Sequence, residues 1–141
     1  MTQIRTFQVL VIAATVCYVV WFFMPYWSGY LTDLEDRLAG YSGYGAILPI
    51  HHPVYSSMWF GLSLLAAIGL MFLQNWARHL YLALSLLGPA LAPFSGFVIQ
   101  PPLDTFFSNA NLLLDGAVLA VAYLSPLAAS FRKTAHRKPK R

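Results

Sequence analysis

Apolar residues in this sequence gather in long unbroken runs rather than in helical stripes or strand alternation. Four runs stand out: Phe7–Trp27, Val54–Leu73, Leu80–Ile99 and Phe106–Ala129. About 20 apolar residues carry an α-helix across a hydrocarbon core ~30 Å thick. In lipid the backbone must satisfy its own hydrogen bonds, which a helix does within one segment. The alternation of a membrane β-barrel is not seen. The pattern predicts an all-α polytopic membrane protein, with four transmembrane helices in an antiparallel bundle. One domain covers residues 1–131, and a basic tail covers 132–141.

The polar positions fall between the runs. A loop, 28–53, holds most of the acids, a short link covers 74–79, and a Pro-rich turn covers 100–105. Within the loop, Thr32-Asp33-Leu34-Glu35 fits the capping box S/T-x-x-E. Leu31, Leu34 and Leu38 follow at helical spacing and Gly40 can end the turn. This predicts a short amphipathic helix on the outer surface, between the first two spans. The segment Tyr41–Pro49 that follows is partly apolar and either docks a partner or folds back over the bundle. In the 74–79 link, Asn75 and Arg78 are expected to satisfy free carbonyls. Trp21, Tyr26, Trp27, Tyr30, Tyr55 and Trp59 mark one interface and Trp76 and Tyr81 the other, as aromatic belts do.

The third run contains Pro89 and Pro93. Each removes a backbone donor, freeing the carbonyls of Ser85 and Pro89, and each is expected to kink the helix. Small residues recur every four positions: Gly88, Ala92 and Gly96, then Gly116 and Ala120, then Ser57 and Gly61. Such stripes pack helices closely, within a bundle or between copies.

Charge orients the array. With both termini and the 74–79 link on one side, that side carries Arg5, Arg78, Arg132, Lys133, Arg137, Lys138, Lys140 and Arg141. Arg37 alone among the nine Lys and Arg falls on the other side, with Asp33, Glu35, Asp36 and Asp104. By the positive-inside rule both termini are cytoplasmic and the protein sits in a bacterial inner (plasma) membrane. The tail residues Arg132, Lys133, Arg137, Lys138, Lys140 and Arg141 are placed to meet anionic lipid headgroups, each worth ~1 kcal/mol. The basic pI comes mostly from this tail, so no nucleic-acid partner is expected.

Composition agrees with lipid. The chain is 58% hydrophobic and 10% charged, with mean hydropathy +0.59, where soluble domains carry about a quarter charged residues. The one cysteine, Cys17, lies inside the first run, so no internal disulfide forms. That run is too long for a signal-peptide core and is read as an uncleaved span.

One acid, Asp115, remains inside a run. It lies nine residues past Phe106, ~14 Å along the axis at ~1.5 Å per residue, close to the bilayer midplane. An acid there costs at least ~2.5–3.5 kcal/mol on insertion scales and usually faces a protein interior or a partner. Asn111 shares its face one turn away, and Ser108 and Asn109 extend the polarity outward. Counting equal depth in the other runs gives Tyr18, Ser63 and Ala90. A protonated Asp115 would donate to the Pro89 carbonyl and accept from Tyr18 or Ser63. Asp115, Asn111, Tyr18 and Ser63 thus form the candidate intramembrane site. The site is a satisfied interhelical bond, a docking handle for a partner helix, or a carrier of protons or ions.

His51 and His52 precede Pro53 at the outer mouth of the second run. They are a possible outer-face ligand pair, or an interfacial cap for that span. Adjacent histidines diverge and no ligand spacing surrounds them, so no metal is assigned. Likewise no cofactor is expected, since no histidine lies mid-run to hold a haem. Enzyme signatures such as Gly-x-Ser-x-Gly, His-Glu-x-x-His or a second intramembrane Asp are missing from the sequence. The favoured reading is a non-catalytic membrane protein that binds another membrane component, as an accessory subunit or an immunity-type protein. The alternative is a homo-oligomeric proton- or ion-coupled transporter or channel built on Asp115.

Overall fold

The computed structural model describes residues 2–27, 31–39, 41–47 and 53–135. Among these residues six α-helices follow in order: α1 (Thr2–Phe23), α2 (Asp33–Ala39), α3 (Pro53–Met71), α4 (Asn75–Leu91), α5 (Pro102–Leu124) and α6 (Ala128–Ala135). Among the described residues there is no strand, and three helical segments are long and apolar enough to cross a membrane: Gln3–Tyr26, Pro53–Met71 and Pro102–Leu124. This is the composition of a membrane protein. The fourth helix, α4, has 17 residues and reaches only ~25 Å at ~1.5 Å per residue.

α1 packs on α5 and α3, and α4 packs on α3 and α5. Arg78 reaches Ala122 while Tyr81 reaches Asp115, so residue numbers fall along α5 as they rise along α4. The core combines small side chains with a few large rings: Phe7, Val11 and Ala14 of α1, Ala66 and Leu70 of α3, Ala77 and Tyr81 of α4, Val118 and Ala122 of α5, and Phe131 of α6. Outward positions such as Val9, Ile68, Leu86 and Leu113 are exposed apolar side chains, as a lipid-facing surface requires.

Local chemistry explains where the helices start and stop, and several ends differ from the sequence expectation. The third run was expected to be helical through Ile99, kinked at both prolines. Instead α4 begins at Asn75, keeps Pro89 inside, and gives way to a 3-10 turn over Ala92–Phe94. Pro93 cannot donate to the next helical carbonyl. The Ser95 amide and hydroxyl then both close on the Ala92 carbonyl, at 3.1 and 2.6 Å. Gly96 follows at φ +77 and turns the chain away. A side chain there would meet the Tyr44 carbonyl at 2.6 Å, so Gly96 serves a close backbone approach and not a helical small-residue stripe.

That approach settles the 41–47 segment. Gly43 N–H donates to the Phe97 carbonyl (2.7 Å), Phe97 N–H to Tyr44 (3.0 Å) and Ile47 N–H to Phe94 (3.1 Å). The segment folds back on the strap that follows α4. The expected capping box forms: Glu35 N–H donates to the Thr32 hydroxyl at 3.3 Å, and Thr32 N–H donates to Glu35 Oε2 at 2.9 Å. These donors, the Thr32 amide first and its hydroxyl second, hold the Glu35 carboxyl below its ordinary pKa. On α2, Leu34 and Leu38 are exposed; Gly40 lies outside the described residues.

The link between α3 and α4 is only Phe72-Leu73-Gln74. Leu73 takes φ +54, Gln74 N–H donates to the Gly69 carbonyl (2.9 Å) and Leu73 N–H to Leu70 (3.0 Å). This is a Schellman cap with leucine where glycine is usual. The Gln8 amide of α1 adds a bond to the Met71 carbonyl at 3.2 Å. The free carbonyls are therefore met from Leu73, Gln74 and Gln8, not from Asn75 and Arg78 as expected.

The fourth run also differs. α5 starts at Pro102, whose fixed φ suits a first helical turn, and ends at Leu124. Ser125 is extended (ψ 164) because Pro126 disfavours the helical region before it. The chain re-enters a helix as α6, so the expected span to Ala129 is broken and the start of the expected tail is helical. Phe131 of α6 is fully buried and meets Phe7 edge-on at 5.9 Å. Buried Arg78 lies with its guanidinium 4.4 Å from the Tyr123 ring and 5.4 Å from the Phe131 ring.

Candidate functional site

Asp115 projects from the middle of α5 toward the other long helices. Tyr81 of α4, itself buried, donates its phenolic O–H to Asp115 Oδ1 at 2.5 Å. Around this pair lies a partly open cavity of about 70 Å³. α1 contributes Ala14, Thr15 and Tyr18 to its wall, and α3 contributes Trp59, Ser63, Leu64 and Ala67. From α4 come Tyr81, Leu84 and Ser85, and from α5 comes Asp115 alone. Every long helix thus reaches one polar spot, and each does so near the middle of its length.

The hydroxyl groups are largely engaged with protein. Thr15 donates to the Val11 carbonyl at 2.7 Å, Tyr18 is hydrogen-bonded to Ser63, and Tyr81 is engaged with Asp115. No Lys, Arg or His is among the lining residues. Among the described residues, then, no basic side chain neutralises Asp115 in the cavity. The site has two chemically sensible forms. Either the carboxyl holds a proton, or it is ionised with a cation beside it, because an isolated carboxylate in a low-dielectric interior is strongly unfavourable.

Three of the residues expected together are together: Asp115, Tyr18 and Ser63 share the cavity. Asn111 does not line it. It is buried one turn away, with neither amide atom partnered among the described residues. Ala90, expected at the same depth in the third run, is replaced there by Tyr81 and Ser85. Ala90 is at that depth only if the helix ends at Ile99, eight residues beyond the real end of α4 at Leu91. Moving the end back by that amount lands on 82, between the two residues observed. Tyr81 was assigned to an interfacial belt, and Trp59 likewise; both line the cavity instead. The i, i+4 pair Tyr81 and Ser85 was the available signal, since those positions share a helix face.

Other candidate groups lie elsewhere. Trp21 donates to Asp104 Oδ1 at 2.6 Å, tying the end of α1 to the start of α5. His79 is exposed, its Nδ1 3.3 Å from the Tyr123 hydroxyl. Cys17 carries a free thiol. Among the described residues no three His, Cys, Asp or Glu side chains converge as a metal site would need. His51 and His52 lie outside the described residues, as do Arg137, Lys138, Lys140, Arg141 and the side chains of Arg132 and Lys133. Against protein-family models, curated proteins and solved structures, the chain has no match.

Proposed function

We propose that this chain is a small integral membrane protein of the bacterial inner membrane whose working group is Asp115, which exchanges a proton or a cation as part of coupled transport. The observation that carries this reading is the Tyr81–Asp115 pair in a cavity walled by four helices of a single chain. A docking handle for another protein would need its partner in another chain, whereas Asp115 finds a donor in its own. Asn111, buried one turn away and without a partner among the described residues, extends the polar path toward the start of α5.

The architecture goes with it. α4 adds ~25 Å and the 3-10 turn about 6 Å more at ~2 Å per residue, together enough for ~30 Å of hydrocarbon. This length supports a fourth crossing and an antiparallel four-helix bundle. The charge bias puts both termini in the cytoplasm, α2 on the periplasmic surface and the basic tail against anionic headgroups.

The test is flux. Wild type reconstituted in liposomes should dissipate an imposed proton or cation gradient, and Asp115→Asn of equal monodispersity should not. Wild-type liposomes no leakier than empty ones would end the carrier reading.

A second reading, an accessory subunit or immunity-type protein, is favoured by a different observation. Ser57 and Gly61 on α3 and Gly116 and Ala120 on α5 are exposed; a side chain at either glycine would meet nothing within 4 Å. Such faces suit a close-packing partner helix. Mass spectrometry after gentle extraction distinguishes the two: a stoichiometric second protein supports this reading, and self-oligomers alone support the first.

A further inference from the structure

We infer that the guest of the Asp115 cavity is a small organic ammonium ion, with its charge on Asp115 and its alkyl groups against Trp59, Tyr18 and Tyr81. The inference rests on the carrier reading above and narrows its guest to one chemical class.

The wall composition decides between cation types. A hard divalent ion is held by several carboxylate and carbonyl oxygens in place of its water. The cavity has one carboxylate, and its other side-chain oxygens are the neutral hydroxyls of Thr15, Tyr18, Ser63, Tyr81 and Ser85, which keep acceptor lone pairs but carry no charge. The remaining wall is apolar or aromatic, including Trp59, Leu64, Ala67 and Leu84. An alkylammonium ion needs little else. Its methyl groups lose nothing by leaving water for such a wall, its charge is met by the carboxylate, and aromatic rings attract it through their quadrupoles.

Size agrees. A volume of about 70 Å³ admits roughly five to seven water-sized groups at ~10–15 Å³ each. That fits tetramethylammonium or propylammonium and excludes bulky lipophilic cations without rearrangement. The cavity also supplies no basic residue to repel the guest.

The test uses the full chain in nanodiscs, titrated calorimetrically with tetramethylammonium chloride and, separately, sodium chloride. Saturable tetramethylammonium binding is expected, unaffected by equimolar sodium and lost in Asp115→Asn. Trp59→Leu should weaken it roughly five- to tenfold, while Trp76→Leu, outside the cavity, should leave it unchanged. Ser85→Leu fills the cavity with Asp115 intact and should abolish binding, which guards against Asp115→Asn misfolding. Displacement by equimolar sodium, or wild-type affinity in Trp59→Leu, would overturn the inference. So would no tetramethylammonium binding alongside Asp115-dependent proton flux, which leaves the carrier reading standing. Neither binding nor flux would remove both.

Discussion

Removing the Tyr81 hydroxyl tests the polar centre with little change in volume. Tyr81→Phe keeps the ring in its buried place on α4 and deletes only the donor to Asp115, 2.5 Å away. Interhelical hydrogen bonds in membranes average ~0.6 kcal/mol and reach ~1.7, while bonds to charged groups in proteins run ~1.5–3 kcal/mol. Asp115 is the only acid in the cavity and no basic residue shares it, so Tyr81 carries more of its solvation than a typical partner would. We expect a coupling of about 1–2 kcal/mol, up to roughly a thirtyfold change in the folding equilibrium. The assay is a double-mutant cycle of Tyr81→Phe and Asp115→Ala, read by reversible SDS-induced unfolding in mixed micelles. In the Asp115→Ala background Tyr81→Phe should cost much less than in wild type. Equal costs in both backgrounds, within the ~0.3–0.5 kcal/mol scatter of additivity, would refute the bond and with it the geometry of the site.

Other expectations come from packing, caps and charge. Gly69→Leu forces a side chain into the Ala77 Cβ and the Trp76 ring, and should destabilise the α3–α4 hairpin by ~1–3 kcal/mol, seen as lowered thermal stability in micelles. Phe131→Ala removes a fully buried ring that contacts Phe7 and Arg78. It should cost ~3–5 kcal/mol and speed amide hydrogen exchange in α6 selectively. Glu35 has its folded pKa depressed by Thr32, so its support of α2 is full above the unfolded value of ~4.3 and fades as pH falls through the lower folded value. Protection of the residue-35 amide, with intrinsic exchange divided out, should fall over that acid window in wild type and stay flat in Glu35→Gln.

Much of this architecture could be read from residue order. The apolar runs of α1, α3 and α5 are continuous, and lipid leaves them little choice but helix. The capping box at Thr32 and Glu35 formed because it depends on side chains three residues apart and on nothing distant. What failed were helix ends governed by proline in a wholly apolar stretch. Hydropathy does not change between Leu91 and Ile99, so only backbone chemistry at Pro93 and Gly96 marks the end of α4. The Ser125-Pro126 break in the fourth run was hidden in the same way. The same shift carries into the site: Tyr18, Ser63 and Asp115 match in depth, whereas Tyr81 and Ser85 lie nine and five residues before Ala90, the residue expected at that depth. The aromatic surroundings of Arg78 were not legible either, because Tyr123 on α5 and Phe131 on α6 lie far along the chain, and Phe131 meets it only once α6 folds back.

In the proposed carrier Asp115 changes state: it holds a proton, or gives it up to a guest cation. Infrared difference spectroscopy on the reconstituted protein reads that carboxyl directly. Adding alkali, or tetramethylammonium at fixed pH, should each bleach one protonated-carboxyl band, and that band should be missing from Asp115→Asn. A carboxyl band that neither addition alters, or one that survives in Asp115→Asn, would overturn Asp115 as the exchanging group.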